Sequence, residues 1–352
     1  MSEQKTIKCL VWDLDNTLWD GTLLEDRNVA LRPGVADVIR ELDRRGILLS
    51  VASKNEPADA MAALARFGLS DYFLVPQISW NSKADSVARI AQLLNLGLDS
   101  FAFIDDQPVE REEVRFHHPE VRVYDAAEYL KLPQLPEFTP RFITADSQLR
   151  RRMYQDDLKR QEEEEHYGKG SEEFLASLNM KLTLAPVKDG DLERVEELTL
   201  RTNQLNSTGA TFSYEELCGF MKSQRHLFLI AELTDKFGSY GKIGLALAEK
   251  TDTALRIKLL LMSCRVMTRG IGSALLVHLA KAAQADGLDL TADFVATGRN
   301  RMMYITYKLM GFEEIERDGD RCLLKYTGGA KEYPEYLQVC VERAGKTAEV
   351  AS

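Results

Sequence analysis

The chain has 352 residues, a length that predicts two domains, each large enough to bury a hydrophobic core. Hydrophobic residues make up 45% of the chain and charged residues 28%, a balance that excludes a largely disordered or fibrous protein. No apolar run approaches the ~18 residues that a membrane helix needs, so no membrane association is expected. The polar segment from Met1 to Lys8 lacks the apolar core of a signal peptide, and we expect a cytoplasmic protein.

The formal net charge is −10, and no Lys- or Arg-rich run interrupts this acidic background. A nucleic-acid-binding protein needs a local basic patch, so no nucleic-acid partner is expected. The cysteines are odd in number, widely spaced and without a CxxC pair, which indicates neither a zinc site nor a disulfide framework. We therefore expect reduced thiols at Cys9, Cys218, Cys264, Cys322 and Cys340.

The first 140 residues alternate short apolar segments with segments of helical periodicity. Strands that alternate with helices indicate a parallel sheet with helices on both faces. Ligands of such sheets bind beyond the carboxyl ends of the strands, so residues that directly follow a strand are candidates for a site. Strands are predicted at 7–12, 47–52, 72–76, 101–104 and 121–124, and helices at 34–45, 57–67 and 83–95.

A second pattern begins near residue 180 and predicts a mixed α/β domain, with strands at 180–186, 227–233, 242–249, 254–262, 290–295, 312–316 and 321–326 and helices at 271–286 and 299–309. The acidic run from Glu162 to Glu165 is interpreted as the solvated face of a helix. The expected organisation is a parallel-sheet domain at 1–140, a charged helical linker at 141–178, a mixed domain at 179–330 and a polar, partly ordered tail at 331–352.

Two carboxylates, Asp13 and Asp15, directly follow the first predicted strand. A carboxylate placed there can attack phosphorus and form an aspartyl-phosphate, and a second one nearby can protonate the leaving oxygen and then activate water. Because both groups are negative, a cation such as Mg²⁺ is needed to hold a phosphate beside them. Further candidates follow later strands or begin a helix: Ser53, Lys54 and Asn55 as phosphate ligands, Lys83 as a neutralising cation, and Asp105 and Asp106 as metal ligands.

This order of motifs resembles the haloacid-dehalogenase (HAD) phosphatase superfamily, whose pattern is DxDx[TV], then Ser or Thr, then Lys, then an acidic pair. The resemblance implies that Asp13 is the nucleophile and Asp15 the general acid and base. It also implies a Mg²⁺ site in which Asp105 is the side-chain ligand, with Asp13, Asp15 and Asp106 beside it. The segments between the motifs are too short for a cap domain, so we expect an open site that suits a bulky or protein-tethered phosphoester.

A second group of residues surrounds Cys264, which follows the strand predicted at 254–262. This cysteine is either a small buried core residue or a thiolate nucleophile whose pKa is lowered by Arg265 or by the start of the next helix. The loop after it contains Gly270 and Gly272, and a glycine-bearing loop at a helix start presents backbone N–H groups to an anion or a carbonyl oxygen.

This loop and the later residues Tyr307, Gly311 and Phe312 resemble the GNAT acetyltransferase superfamily, which has R/Q-x-x-G-x-G/A before one helix and Y-x-x-x-G-F at the end of another. Met267 stands where that family has Arg or Gln, so ordinary binding of the coenzyme A diphosphate is not expected. A slot for pantetheine beside a splayed strand is still expected.

The fusion of the two patterns resembles the FkbH-like glyceryl transferase/phosphatase family of polyketide pathways, through segments 8–19, 52–55, 103–108, 201–206 and 263–266. The resemblance implies that the glyceryl unit of 1,3-bisphosphoglycerate passes to an acyl carrier protein with Mg²⁺-dependent loss of its 3-phosphate. It implies a thioester on Cys264 as the intermediate and a methoxymalonyl or hydroxymalonyl extender unit as the later product.

An acyl phosphate is already activated, so a thiolate at Cys264 can displace phosphate without ATP, and backbone N–H groups near 269–272 could stabilise the oxyanion. Asn203 and Asn206 could equally serve to satisfy backbone groups in a turn, and Tyr307 could equally serve in packing. Core packing is the expectation for Trp12 and Trp19. The candidates for binding substrate or pantetheine are Arg201, Asn203, Asn206, Arg265, Arg269, Gly270, Gly272 and Tyr307.

Three hypotheses follow. The first is a glyceryl transferase/phosphatase, which requires both Asp13 and Cys264. The second is a Mg²⁺-dependent phosphatase whose second domain only binds a partner, which requires Asp13 alone. The third is an inactive docking module for a carrier protein, which the intact pair Asp13 and Asp15 disfavours.

Overall fold

The computed structural model describes residues 6–26, 28–168, 171–343 and 346–350. The chain divides into two compact units, Met1–Gln155 (unit 1) and Asp156–Ser352 (unit 2). In the part that the structure describes, no helix is both long enough and apolar enough to cross a membrane.

Unit 1 alternates strands and helices along the chain, as the sequence predicts. Short 3₁₀ segments at Ser70–Tyr72, Leu98–Ser100, Ala126–Gln134 and Pro136–Phe138 join some of them. In chain order the elements are β1 (Cys9–Trp12), β2 (Trp19–Asp20), β3 (Ala30–Leu31), α1 (Val35–Arg44), β4 (Leu48–Ser53), α2 (Pro57–Arg66), β5 (Gln77–Ile78), α3 (Lys83–Leu93), β6 (Phe101–Asp105), α4 (Pro108–His117), β7 (Arg122–Asp125) and α5 (Ala145–Gln148).

The main sheet of unit 1 is parallel and has the strand order β5-β4-β1-β6-β7. All four residues of β1 are buried, which is typical of a central strand with both faces covered by helices. In the register, Trp12 pairs with Val51 of β4 and Ile104 of β6. The residues that follow these three strands therefore meet at one edge of the sheet.

The segments between the strands of unit 1 are short. Between β1 and β4 lie only the small β2–β3 hairpin and α1, and between β4 and α3 lie only α2, one 3₁₀ segment and β5. The described residues of these segments form no additional domain, so unit 1 carries no inserted cap domain in the part that the structure describes.

One long helix, α6 (Arg150–Tyr167), crosses the division between the units. The elements of unit 2 then follow, with 3₁₀ segments at Asp189–Asp191 and Cys264–Val266. They are α7 (Glu172–Ser177), β8 (Met180–Pro186), α8 (Leu192–Arg201), α9 (Tyr214–Lys222), β9 (His226–Asp235), β10 (Gly238–Lys250), β11 (Ala254–Met262), α10 (Ile271–Ala285), β12 (Asp289–Val295), α11 (Arg301–Met310), β13 (Phe312–Asp318), β14 (Arg321–Tyr326), β15 (Leu337–Arg343) and β16 (Lys346–Val350).

The sheet of unit 2 is mixed and has the order β13-β14-β12-β11-β10-β9-β8-β15-β16. The central neighbours β11 and β12 are parallel but pair only over their first four residues, so the two strands separate toward their carboxyl ends. The chain's own segment 205–207 fills the gap between them. Its backbone bonds are Met262 N to Leu205 O at 2.9 Å, Ser207 N to Leu260 O at 2.9 Å and Val295 N to Ser207 O at 3.0 Å.

The predicted strand at 72–76 is wrong in position. Tyr72 ends a 3₁₀ segment, Phe73 makes only an isolated bridge to Leu49, and the strand itself is β5 at Gln77–Ile78. Val75 has a positive φ of 43° and precedes Pro76, which has no backbone N–H to donate, so a regular strand cannot run through this pair.

The polar tail predicted from residue 331 is also corrected. Its strand β15 pairs in parallel with β8, with Leu337 opposite Met180 and Val341 opposite Leu184. Leu337, Val339 and Val341 alternate with Gln338 and Glu342, and Leu337, Val339 and Cys340 are buried. This period of two is the strand signal that the overall polarity of the tail concealed.

The acidic run in α6 is only partly the solvated face that was predicted. Glu162 and Glu165 are exposed, whereas Glu163 pairs with Lys236 and Glu164 with Arg269, the latter at 3.2 Å. Local charge density could not indicate which of the four residues would meet a basic partner from a distant part of the chain.

Candidate functional site

Three parallel strands deliver polar residues to one edge of unit 1. Asp13 directly follows β1 and donates its backbone N–H to Ile104 O at 3.0 Å. Ser53 and Asp105 are the last residues of β4 and β6, and Lys83 is the first residue of α3. All four side chains are buried. The structure thus brings together residues that the sequence separates by up to 92 positions (from 13 to 105).

The Lys83 ammonium lies among three carboxylates. It donates to Asp13 Oδ1, to Asp105 Oδ2 at 3.0 Å and to Glu110 Oε2 at 2.9 Å, and its side chain is 2% exposed. Burial disfavours its charged form, but the three carboxylates outweigh burial and raise the pKa of Lys83. Lys83 is therefore a fixed positive charge at the center of the site.

Burial acts in the opposite sense on the carboxylates. It raises the pKa of Asp13, although the charge and hydrogen bond of Lys83 and a hydrogen bond from Ser53 oppose the rise. Burial and the nearby charge of Asp13 raise the pKa of Asp105 to about 7. Crowded, buried carboxylates of this kind are stabilised by further positive charge.

The Asp15 carboxylate accepts three hydrogen bonds. The Trp19 indole Nε1 and the Leu23 backbone N–H both donate to Oδ1, at 2.8 and 3.1 Å. The Asn55 amide Nδ2 donates to Oδ2 at 3.0 Å and also approaches Ser53 Oγ at 3.4 Å. Asp15 is thus held beside Asn55 and Ser53, two of the residues predicted to bind phosphate.

The predicted phosphate ligands differ in what they contact. Asn55 is fully buried, and its Oδ1 atom has no hydrogen-bond partner among the described residues. Lys54 is half-buried and pairs with Glu110 Oε1 at 2.8 Å. Lys54 therefore contacts an acidic side chain of the same site.

The donor set fits a divalent cation with oxygen ligands. One carboxylate oxygen each of Asp13, Asp105 and Glu110 lies within 4.8 Å of the others. The Asp106 Oδ1 atom is buried without a hydrogen-bond partner in the described part of the chain, and burial raises the pKa of this group. Carboxylate oxygens are the ligands that Mg²⁺ prefers. Asp15, also predicted as a ligand, lies outside this group of three.

Glu110 is the member of the site that the sequence analysis missed. It lies in the first turn of α4, the helix that directly follows Asp105 and Asp106. A side chain in the first turn of a helix returns toward the edge of the sheet from which the helix starts, so the spacing Asp106-x-x-x-Glu110 was a usable signal.

In unit 2, Cys264 begins the 3₁₀ segment after β11 and is partly exposed. Its Sγ atom lies 3.8 Å from Gln204 Oε1, directly before the segment 205–207 that fills the gap between β11 and β12. The structure therefore brings segment 201–206 next to 263–266, two of the segments that carry the family resemblance.

The two arginines near Cys264 contact other parts of unit 2. Arg265 donates to Tyr240 O at 2.7 Å and pairs with Asp157 at 3.6 Å. Arg269 is buried, pairs with Glu164 and lies over the ring of Phe174. Both guanidinium groups are thus engaged within the unit.

The glycines of the loop meet tight packing. Gly270 has a φ of +76° and lies so close to the Tyr336 hydroxyl that a side chain would collide with it. A Cβ atom on Gly272 would lie 3.0 Å from Met262 Cε. The Arg269 backbone N–H, one of the predicted oxyanion donors, already donates to Val266 O at 3.1 Å.

The remaining candidates have varied surroundings. Asn203 is exposed, and Arg201 lies 3.8 Å from Glu197. Asn206 is buried, and its Oδ1 accepts the backbone N–H groups of residues 208 and 209, which is a turn-stabilising arrangement. Tyr307 is fully buried, packs edge-on against Phe312, and burial raises its pKa.

Comparison with known proteins supports this description. Residues 22–112 match the family model of the haloacid dehalogenase-like hydrolases. The matched range contains Ser53, Lys83 and Asp105 and begins after Asp13 and Asp15. No curated protein matches the chain.

Among solved structures, the chain is similar to the N-terminal part of a Bacteroides fragilis protein that contains a phosphatase domain complexed with Mg, with 35% identity over 36% of this chain and 39% of that one and a TM-score of 0.33. The chain thus spans well under two thirds of that structure. It is also similar to the Escherichia coli ribosomal-protein-S18-alanine N-acetyltransferase, with 18% identity over 43% of this chain and 99% of that one and a TM-score of 0.32. The GNAT domain of S. lividans PAT is similar with 17% identity over 41% of this chain and 88% of that one and a TM-score of 0.33.

The predicted fold class is confirmed. A parallel-sheet domain without an inserted cap, in which residues 22–112 match the haloacid dehalogenase-like hydrolase model, is followed by a mixed α/β domain.

Proposed function

We propose that this chain hydrolyses a phosphoester in unit 1 and transfers an acyl group in unit 2. The observation that carries the phosphatase part of the proposal is the convergence of Asp13, Lys83 and Asp105 at the carboxyl edge of the parallel sheet. A carboxylate nucleophile held by a buried ammonium suits phosphoryl transfer, because the ammonium also neutralises the phosphorylated intermediate.

Phosphoester hydrolysis takes two steps. First, a carboxylate oxygen of Asp13 attacks phosphorus, the ester P–O bond breaks, and Asp15 donates a proton to the leaving oxygen. Second, Asp15 takes a proton from the water that attacks the aspartyl-phosphate, which releases phosphate and restores Asp13. Lys83 stays beside Asp13 Oδ1 throughout. Asp13, Asp105 and Asp106 would hold Mg²⁺, which would reduce the repulsion between these carboxylates and the phosphate.

The finer proposal concerns the substrate. The resemblance to the FkbH-like family points to 1,3-bisphosphoglycerate as donor and to the phosphopantetheine arm of an acyl carrier protein as acceptor. The absence of an inserted cap domain among the described residues of unit 1 supports a tethered 3-phosphoglyceryl group as the phosphoester, since no cap domain would have to enclose the substrate. Such a reaction belongs in the cytoplasm and needs neither nucleic acid nor membrane.

Acyl transfer would proceed through Cys264. Its thiolate attacks the carbonyl carbon of the acyl phosphate, the bond to the phosphate oxygen breaks, and phosphate leaves with the electron pair. The thiol of the carrier arm then attacks the thioester, and its proton passes to the released Cys264. The partial exposure of Cys264 and its proximity to Gln204 support this role.

Contacts within unit 2 favour a second candidate function. Arg265 and Arg269 are engaged in ion pairs within that unit, and segment 205–207 occupies the gap in which a pantetheine slot was expected. These features are compatible with a phosphatase whose second unit only binds a partner.

An intact-mass measurement separates the two candidates. The purified protein is incubated with Mg²⁺ and a system that generates 1,3-bisphosphoglycerate, without carrier protein, beside Cys264→Ala and Asp13→Asn. Cys218→Ala is the matched control, since Cys218 is the other partly exposed cysteine. We expect a glyceryl adduct on the wild type and on Cys218→Ala, no adduct on Cys264→Ala, and a phosphoglyceryl adduct, heavier by one phosphate, on Asp13→Asn.

An adduct of equal yield on Cys264→Ala would contradict the thiol relay. No adduct on any variant, with phosphate still released from simple phosphoesters by the wild type and not by Asp13→Asn, would leave the phosphatase alone.

A further inference from the structure

Two tryptophans flank Asp13 in the sequence, and the structure gives them different surroundings. Both Trp12 and Trp19 are fully buried. The Trp12 indole N–H has no hydrogen-bond partner among the described residues, so this side chain acts through packing. The Trp19 indole N–H donates to Asp15 Oδ1 at 2.8 Å.

The two carboxylate oxygens of Asp15 accept hydrogen bonds from different parts of unit 1. Oδ1 accepts from Trp19 and from the Leu23 backbone N–H, both in the β2–β3 hairpin region. Oδ2 accepts from Asn55, whose amide also approaches Ser53 Oγ, and Ser53 in turn hydrogen-bonds Asp13. Oδ2 is therefore the oxygen on the side of the nucleophile, and Oδ1 is the anchored one.

The indole that anchors Oδ1 is itself fixed. Trp19 pairs with Leu31 across the β2–β3 hairpin, and its backbone N–H donates to Leu14 O at 3.2 Å. Its ring packs against Phe67 with a centroid separation of 6.3 Å. A fully buried indole in these contacts cannot swing away, so the direction of its N–H is set by packing.

We propose that Trp19 is a positioning residue for proton transfer, which fixes Asp15 Oδ1 so that Oδ2 faces the leaving oxygen of the phosphoester. This rests on the proposed phosphatase activity. As the P–O bond breaks, the proton moves from Oδ2 to the leaving oxygen, and in the second step Oδ2 takes a proton from the attacking water. Trp19 exchanges no proton and touches no substrate.

The dependence on the leaving group tests this role. An alkoxide leaves poorly without a proton, whereas p-nitrophenolate leaves with little need for one. Loss of the Trp19 anchor should therefore slow the cleavage of glycerol 3-phosphate more than that of p-nitrophenyl phosphate. A defect of packing or of phosphate binding would slow both substrates alike.

The experiment compares Trp19→Phe with Trp12→Phe in the full-length protein at saturating Mg²⁺. Both changes shorten a fully buried indole, but only the first removes a hydrogen bond to Asp15. We measure kcat/KM, which reports the phosphorylation step, with glycerol 3-phosphate and p-nitrophenyl phosphate. For Trp19→Phe we expect about a tenfold loss with the alkyl ester and less than about twofold with the aryl ester. Trp12→Phe should change the two values by the same factor.

Equal losses with both substrates for Trp19→Phe would overturn the proposal. If Trp19→Phe does not fold, as judged by circular dichroism, 3-benzothienylalanine at position 19 replaces it, because sulfur takes the place of the N–H in a ring of nearly the same shape. That variant should show the same selective loss, and wild-type values in it would equally overturn the proposal. A wild type that cleaves neither ester, and that carries the phosphoglyceryl rather than the glyceryl adduct in the intact-mass measurement, would instead refute the proposed phosphatase.

Discussion

At the scale of single residues, Lys83 has the most consequential surroundings. Its ammonium is buried among Asp13, Asp105 and Glu110, and Glu110 in turn pairs with Lys54. Three carboxylates against two ammonium groups leave one unit of negative charge. A divalent cation at this position would remove the excess, which is why the metal-free site depends on Lys83.

The first prediction concerns Lys83→Met, which removes the buried charge and keeps much of the side-chain volume. Asp13 and Asp105 then lose their buried cation, whereas Glu110 keeps its pair with Lys54. The free energy of unfolding should fall by about 3–5 kcal/mol in EDTA at pH 8. Mg²⁺ should raise the stability of Lys83→Met by more than it raises that of the wild type, because it replaces part of the lost positive charge. Thermal unfolding with and without Mg²⁺ measures this, and Lys54→Met, which removes a half-buried lysine of the same cluster, is the control. An equal response to Mg²⁺ in the wild type and Lys83→Met would contradict the prediction.

At the scale of elements, α6 is fixed to the β9–β10 hairpin of unit 2 by a buried ion pair. Arg160 donates to both oxygens of Asp235 at 2.7 and 2.8 Å, and both side chains are at most 1% exposed. Its guanidinium also lies 3.8 Å from the centroid of the Tyr240 ring, and the Tyr240 hydroxyl donates to Asp235. A charge in such a place is costly once its partner is removed.

The second prediction is that Arg160→Met lowers the free energy of unfolding of unit 2 by about 3–5 kcal/mol, because Asp235 is left buried and unpaired. Urea unfolding followed by circular dichroism measures the change. Arg152→Met, at an exposed position of the same helix, should stay within about 0.5 kcal/mol of the wild type. A loss of the same size in both variants would point to helix propensity instead.

The third prediction concerns pH. Burial alone would raise the pKa of Asp235, but hydrogen bonds and charge from Arg160 outweigh it and hold the pKa below its usual value. A carboxyl group with a lowered pKa in the folded state contributes stability above its unfolded pKa of about 3.9 and loses that contribution as pH falls through the folded value. Urea midpoints of the wild type should therefore fall more steeply below pH 4 than those of Asp235→Asn. Parallel curves would refute this.

The fourth prediction tests the strand in the tail. Val339 of β15 is buried, whereas its neighbour Gln338 is exposed. Val339→Asp should destabilise unit 2 by about 3 kcal/mol or more, because it buries an unpaired charge, and Gln338→Asp should have little effect. Thermal unfolding of the two variants provides the comparison. Similar midpoints would mean that β15 contributes no core residue.

At the scale of the whole molecule, the positions of the tryptophans allow the unfolding of one unit to be followed separately. The chain has three, Trp12, Trp19 and Trp80, and all lie within unit 1. Tryptophan fluorescence therefore reports on unit 1, whereas circular dichroism receives a contribution from both units.

The fifth prediction uses these two probes. Lys83→Met should lower the midpoint followed by tryptophan fluorescence, since Lys83 belongs to unit 1. Arg160→Met should lower the midpoint followed by circular dichroism and leave the fluorescence midpoint in place. Urea titrations of both variants, read with both probes, are the measurement. A shift of the fluorescence midpoint in Arg160→Met would show that the two units unfold together.

The sequence by itself determined which residues reach the edge of the sheet in unit 1. Buried strands, each followed by Asp13, Ser53 or Asp105, were visible as short apolar segments that end in polar residues, and parallel strands must bring these ends together. The absence of a cap followed from the lengths between motifs. Local patterns of this kind suffice because strand polarity and spacing are properties of the chain alone.

Only the tertiary structure decided which of these residues touch. In it, Glu110 forms an ion pair with Lys83 and Trp19 donates a hydrogen bond to Asp15. The Trp12 indole N–H has no partner among the described residues, and segment 205–207 fills the gap between β11 and β12. These outcomes depend on hydrogen-bond directions and on packing between segments far apart in the chain. Two tryptophans seven residues apart look alike in a sequence, and their difference arises from where each ring nitrogen points once the core has closed around it.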